Sequence, residues 1–184
     1  MSHTASSERN KQLHETELRW FAIRTRFKCE KFVQRILDKL EVRSYIPLRT
    51  SIKQYGNRTR RTELPLIPCY VFVQICQKDY LPILETEHVL GFVRTARELT
   101  AIPEHEIQTL RRVTLEDSLV IDLGTDSFLP GQPVEIAAGN LIGLRGHVVQ
   151  QENKQQLQIE LNTLGYTLLI TLDAQLLTKL KSTP

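Results

Sequence analysis

The residues best suited to chemistry in this chain are cations in regular array. Lys28, Lys31, Arg35 and Lys39 recur at i, i+3, i+7 and i+11, and Arg58, Arg60 and Arg61 crowd the segment KQYGNRTRR. On a helix the first set forms a single stripe. The second set contains a Gly-Asn turn signal and reads as a protruding basic loop, the tip of a hairpin. Clustered Arg and Lys suit phosphate contact, because guanidinium forks match phosphate oxygens. The same side chains also suit a solvated face whose stems lie along the core. Either way the chemistry is electrostatic binding, not bond making.

Bond-making motifs are missing from the sequence. Three cysteines are an odd number and too few for a disulfide framework. Cys69 and Cys76 bracket an expected buried strand with opposite facing parity, a poor geometry for a shared metal. Cys29 and these two read as reduced, structural thiols. The histidines His3, His14, His88, His105 and His147 form no HxxxH or Cys/His cluster. No G-x-S-x-G or phosphate-binding glycine loop occurs, and Asp79, Glu85, Glu104 and Glu106 are helix-start charges. No enzyme, cofactor or metal is expected.

A chain of 184 residues with 41% hydrophobic and 24% charged residues reads as one or two small globular domains. The apolar runs are too short to span a bilayer, and the N-terminus lacks the apolar core of a signal peptide. A cytoplasmic location is expected, with no membrane contact. The net charge of +3 hides an asymmetry: residues 1–113 hold 20 Lys and Arg against 13 Asp and Glu, and residues 114–184 hold 4 against 8. The basic half suits nucleic acid, and the acidic half suits a protein partner.

The elements that must carry these residues follow from periodicity. Residues 20–25 (WFAIRT) read as a first strand. Residues 28–40 place Phe32, Val33, Ile36, Leu37 and Leu40 on one helical face, beside the basic stripe. Residues 44–52 read as a second strand with Tyr45 and Pro47. In PLIPCYVFVQI, Tyr70, Phe72 and Gln74 face one way and Val71, Val73 and Ile75 the other, so a central strand buried on both faces is expected. Asp79 is placed to cap a short helix, Phe92 lies in another short strand, and Pro103 opens a third helix. Strands and helices alternate, giving an α/β sandwich of the α+β class, an antiparallel sheet flanked by helices. Residues 1–17 read as a disordered tail, 18–113 as this domain, 114–127 as a linker and 128–184 as a small five-stranded β-barrel punctuated by Gly131, Gly139, Gly143 and Gly146. Leu161, Leu164, Leu168, Leu172, Leu176 and Leu180 also follow a helical period. Gly165 and the β-branched Thr163, Thr167, Ile170 and Thr171 favour strand there.

In order along the chain, WFAIRT, PLIPCYVFVQI, GFVR, IPEHEI and PGQPVEIAAGNLIGLRGHVV resemble the NusG family of transcription elongation factors, over about residues 19–180. The resemblance implies an N-terminal NGN domain followed by an SH3-like KOW domain, whose motif is carried by Gly131, Val134, Ile136, Gly139, Gly143 and Gly146. It implies that the NGN domain docks on the clamp helices of RNA polymerase through an apolar patch, matched here by Ile67, Tyr70 and Phe72 with Trp20 and Phe92 nearby. Trp20, Tyr70 and Phe72 also suit a core. From their charge and clustering, Arg24, Arg26, Lys28, Lys31, Arg35, Arg58, Arg60 and Arg61 are expected to face nucleic acid, DNA or RNA, in the elongation complex.

Departures from the family pattern point to a specialised paralogue. Cys69 stands where many relatives have Gly, and Ile67 where they have Phe. Leu141 and Leu144 replace aromatics, and Ala174 replaces one that general members use on the ribosome. Within the family the chain resembles antiterminators of the UpxY/RfaH type, which implies action on operons such as surface polysaccharide clusters. The expected function is antitermination by a monomeric factor, with a possible second protein partner for the KOW domain. The alternative is an RNA- or ribosome-binding KOW protein, for which a basic barrel is expected.

Overall fold

The computed structural model describes residues 12–56, 58–95, 97–116, 120–124, 131, 133–139, 141–151, 154–171 and 177–179. The chain divides into two compact units, Met1–Glu104 and His105–Pro184. Expectations placed on residues 1–11, on Leu172, Ala174, Leu176 and Leu180, and on much of the 114–127 linker lie outside the described residues.

The first unit is built on strand β1 (Arg19–Thr25), whose alternation puts Phe21 and Ile23 on one face. Helix α1 (Glu30–Lys39) follows, with Glu30 in its first turn and Lys39 in its last, the charge order favoured by the helix dipole. Next come β2 (Arg43–Tyr45), β3 (Leu48–Tyr55), β4 (Arg58–Pro65) and β5 (Tyr70–Ile75). Helix α2 (Tyr80–Leu84) and β6 (Val89–Phe92) complete the sheet, followed by the short hairpin β7 (Arg94–Thr95) and β8 (Glu98–Leu99). The sheet is antiparallel, in the order β2-β5-β1-β6, so β5 is an interior strand as its apolar alternation implies. Phe21, Ile23, Val71, Val73 and Ile75 meet Val33 and Leu37 of α1 and Ile83 of α2 in one core. Burying each such side chain contributes about 1.5–3 kcal/mol.

Four expectations need correction here. The strand expected at 44–52 is split at Ile46–Pro47, because proline has no N–H to give the ladder and the chain leaves the sheet there. The basic loop is mostly strand: β3 and β4 form a separate two-stranded ribbon in register from Leu48↔Pro65 to Tyr55↔Arg58, turning at Gly56 with φ +57°. The tail is not wholly disordered. Leu13 packs against the core, the Gln77 N–H donates to the His14 carbonyl at 2.9 Å, and the Ala101 N–H donates to Gln12 Oε1 at 2.6 Å. One leucine in a polar stretch is invisible to a composition average. Asp79 also works backwards, accepting from the Cys76 N–H at 3.1 Å and leaving the helix after it without a side-chain cap.

Helix α3 (Glu104–Leu115) begins at the unit boundary, directly after Pro103, and buries Glu106, Ile107, Leu110 and Val113. The second unit then folds as β9 (Val120–Gly124), β10 (Pro133–Ile136), β11 (Arg145–Gln151), β12 (Lys154–Leu161), β13 (Tyr166–Thr171) and β14 (Leu177–Lys179). They form one antiparallel sheet of six strands, ordered β14-β10-β11-β12-β13-β9. The strand beyond the expected five is β9, inside the expected linker, pairing with β13 from Thr167↔Gly124 to Thr171↔Val120. Its Val120, Ile121 and Leu123 form a short apolar run that polar neighbours obscure. Strand wins over the helical leucine period, and Gly165 with φ +68° sits in the turn joining β12 to β13. Glu106 Oε1 accepts from the Thr163 N–H at 3.1 Å and its hydroxyl at 2.8 Å, tying α3 to that turn. Among the described residues no helix is long and apolar enough to cross a membrane.

Candidate functional site

Register sorts the expected polymerase-contact residues onto two faces of the first sheet. Trp20, Ala22 and Arg24 of β1 lie opposite Gln74, Phe72 and Tyr70 of β5, and Arg43 and Tyr45 of β2 extend the same face across Gln74 and Phe72. On this face the Tyr45 and Phe72 rings lie 6.2 Å apart, and the Arg43 guanidinium sits 5.7 Å over the Trp20 ring while donating to Gln74 Oε1 at 2.9 Å. Trp20 Nε1 donates to Glu104 Oε2 at 2.6 Å. Trp20, Phe72 and Ile67 are buried, and Tyr70 is half-buried at the end of the strand. Phe92 belongs to the opposite face: it lies opposite Ile23, meets Phe21 edge-on at 6.4 Å and stacks on Tyr80 at 4.8 Å. A position between a glycine and a valine gives no sequence signal for which face it takes.

The cations expected at nucleic acid lie on β1, the turn into α1, α1 itself and the β3–β4 ribbon. Arg24 is exposed and directly opposite Tyr70. Arg26 and Lys28 follow in the turn into α1, where Lys28 has φ +61° and its ammonium lies 5.2 Å over the Phe27 ring. Arg35 stacks 5.9 Å over Phe32, which itself lies 5.1 Å from His88. On the ribbon, strand parity places Arg58 and Arg60 with Lys53 and Arg49 on one face and Arg61 with Ile52 on the other. Reading this segment as a loop misses Arg49, which the period of two would have found in line with Lys53. Lys31 reaches the ribbon through an ion pair with Glu63 at 2.8 Å. The Lys31 ammonium, by hydrogen bond and charge, holds the Glu63 carboxyl below its ordinary 4.5.

The expected KOW positions are of two kinds. Val134 and Ile136 are buried, with Leu141 and Leu144 beside them in sequence also buried. Gly146 has no room for a side chain: a Cβ would meet the Gln158 carbonyl oxygen at 2.3 Å. Gly131 is as tight, with the Val148 carbonyl oxygen at 1.8 Å from such an atom. Gly139 and Gly143 instead have positive φ and open space. Among the described residues no group of His, Cys, Asp or Glu is placed to hold a metal ion.

A family model described as transcription termination factor nusG matches residues 18–111. The chain belongs to the NusG family. This is a family of transcription factors, not of enzymes, and the chain takes its place there as a transcription elongation factor. No curated protein matches this NusG family member. A solved structure showing domain interaction in Thermotoga maritima NusG is similar at 23% identity, covering 90% of this chain and 98% of that one with a TM-score of 0.55, which concerns the fold alone. An MjSpt4:Spt5 complex is similar at 22% identity over 90% of this chain and 99% of that chain, with a TM-score of only 0.32.

Proposed function

We propose that this NusG family member binds the clamp helices of RNA polymerase through the sheet face around Tyr70 and suppresses pausing or termination. The observation that carries the reading is the placement of half-buried Tyr70 beside exposed Arg24, on the face that Phe72, Tyr45 and Trp20 pack. A rigidly backed tyrosine next to an arginine combines the two residue types that dominate protein interfaces. Phe72 and Trp20 continue the same face along the paired strands, Ile67 is buried in the approach to β5, and Phe92 lies on the sheet's other face. The cations Arg24, Arg26, Lys28, Lys31, Arg35, Arg58, Arg60 and Arg61 face the nucleic acid of the same complex. The six-stranded C-terminal sheet serves as a KOW domain for a protein partner, in keeping with its acidic balance. Service to particular operons, such as surface polysaccharide clusters, is the use that the family departures at Cys69, Ile67, Leu141 and Leu144 suggest. The factor works in the cytoplasm as a monomer. Tyr70→Ala, folded by circular dichroism, is expected to bind polymerase roughly thirtyfold more weakly, a loss of about 2 kcal/mol. Wild-type capture by that variant rules this face out.

A further inference from the structure

The β3–β4 ribbon holds five cations, Arg49, Lys53, Arg58, Arg60 and Arg61, and one carboxylate, Glu63. Register sets Lys53 directly opposite Arg60. Like charges in that relation destabilise a ribbon, and an anion between them removes the penalty. Beside the pair opens a cleft of about 610 Å³, lined among others by Phe27, Lys28, Lys31, Lys53, Arg60 and Glu63. Within it the Glu63 carboxylate occupies the Lys31 ammonium at 2.8 Å, and both side chains remain substantially exposed. That distance is the one a phosphate oxygen takes on an ammonium.

We propose that Glu63 is an internal competitor for nucleic-acid phosphate. A phosphodiester seated in this cleft on Lys28, Lys53 and Arg60 gains Lys31 only by displacing the carboxylate. The inference rests on the nucleic-acid reading above and adds a residue that limits affinity. An exposed ion pair is weak, so a strand engaging several cations displaces it, whereas an isolated phosphate contact does not. Glu63 thereby tunes the site against stray polyanions and favours strands that fill the whole cleft.

The test uses the full chain with mixed-sequence single-stranded DNA and RNA oligonucleotides, followed by fluorescence anisotropy across a salt series. Glu63→Gln is expected to bind roughly three- to tenfold more tightly at low salt, with a slope steeper by about 0.7 for the one added contact. In the Lys31→Gln background the same change is expected to give no gain. A gain on only one of the two oligonucleotides also supports the competitor and names the strand. If Glu63→Gln leaves affinity and slope unchanged while joint replacement of Arg58, Arg60 and Arg61 by Gln weakens binding, the competitor is overturned and the nucleic-acid reading stands. If that triple replacement has no effect, the nucleic-acid reading itself falls.

Discussion

The Glu30 carboxylate accepts a 2.7 Å hydrogen bond from the Cys69 N–H, and Cys69 holds φ at +65°. Helix α1 is thus tied at its first residue to the turn that launches β5, the strand carrying Tyr70. The Cys69 carbonyl also accepts from the Thr25 N–H at 2.9 Å, so the turn is fixed from both sides. A left-handed backbone costs a side-chain-bearing residue roughly 1–2 kcal/mol.

Cys69→Gly is therefore expected to stabilise the first unit. The gain is about 0.5–1 kcal/mol, because the added freedom of glycine in the unfolded chain offsets part of the relieved strain. Glu30→Ala, which orphans the Cys69 N–H, is expected to cost about 1–3 kcal/mol. Urea unfolding of the two variants measures both, and a destabilised Cys69→Gly protein contradicts the strain argument.

Phe92→Ala separates packing from contact. With the ring stacked on Tyr80 and edge-on to Phe21, its removal is expected to cost about 3–5 kcal/mol of stability. The folded fraction should still bind polymerase like wild type. A normal melting temperature with weakened polymerase binding is the opposite result, and places Phe92 at the interface instead.

The N-terminal strap carries an acid-sensitive pair. Arg19 donates to Glu17 at 2.6 Å, and this hydrogen bond and its charge hold the Glu17 carboxyl below the ordinary 4.5. A carboxyl lowered by folding contributes stability above its unfolded value, and that contribution disappears as pH falls through the lowered value. Both side chains are substantially exposed, so the effect is small and weakens with salt. A carbon-detected titration is expected to give a Glu17 midpoint under 4.5 that rises in Arg19→Ala. An unmoved midpoint means the pair is not formed in solution.

Much of this fold was legible because side-chain period and burial agree. In β5 the alternation of Tyr70, Phe72 and Gln74 against Val71, Val73 and Ile75 foretold an interior strand, and the stripe Phe32, Val33, Ile36, Leu37 foretold α1. Where burial is low, period loses its meaning: β4 is exposed along almost its whole length, and its Arg-rich sequence reads as a loop. Strand β9 was hidden by polar neighbours, and the strap by its dependence on one leucine. The site was legible in residue type but not in arrangement. No local pattern says that Arg24 will sit opposite Tyr70, or that Glu63 will reach Lys31 thirty-two residues away.

Trp20 is the chain's single tryptophan, and it lies in the first unit with 3% of its surface exposed. The second unit's aromatic complement is Phe128 and Tyr166. Indole emission from this protein is consequently a native optical probe of one unit alone. Excited selectively, the molecule reports loosening of the sheet around β1. Fluorescence thus follows the first unit while circular dichroism sums over the strands and helices of both, and a difference between the two transitions in one unlabelled sample shows that the units unfold separately.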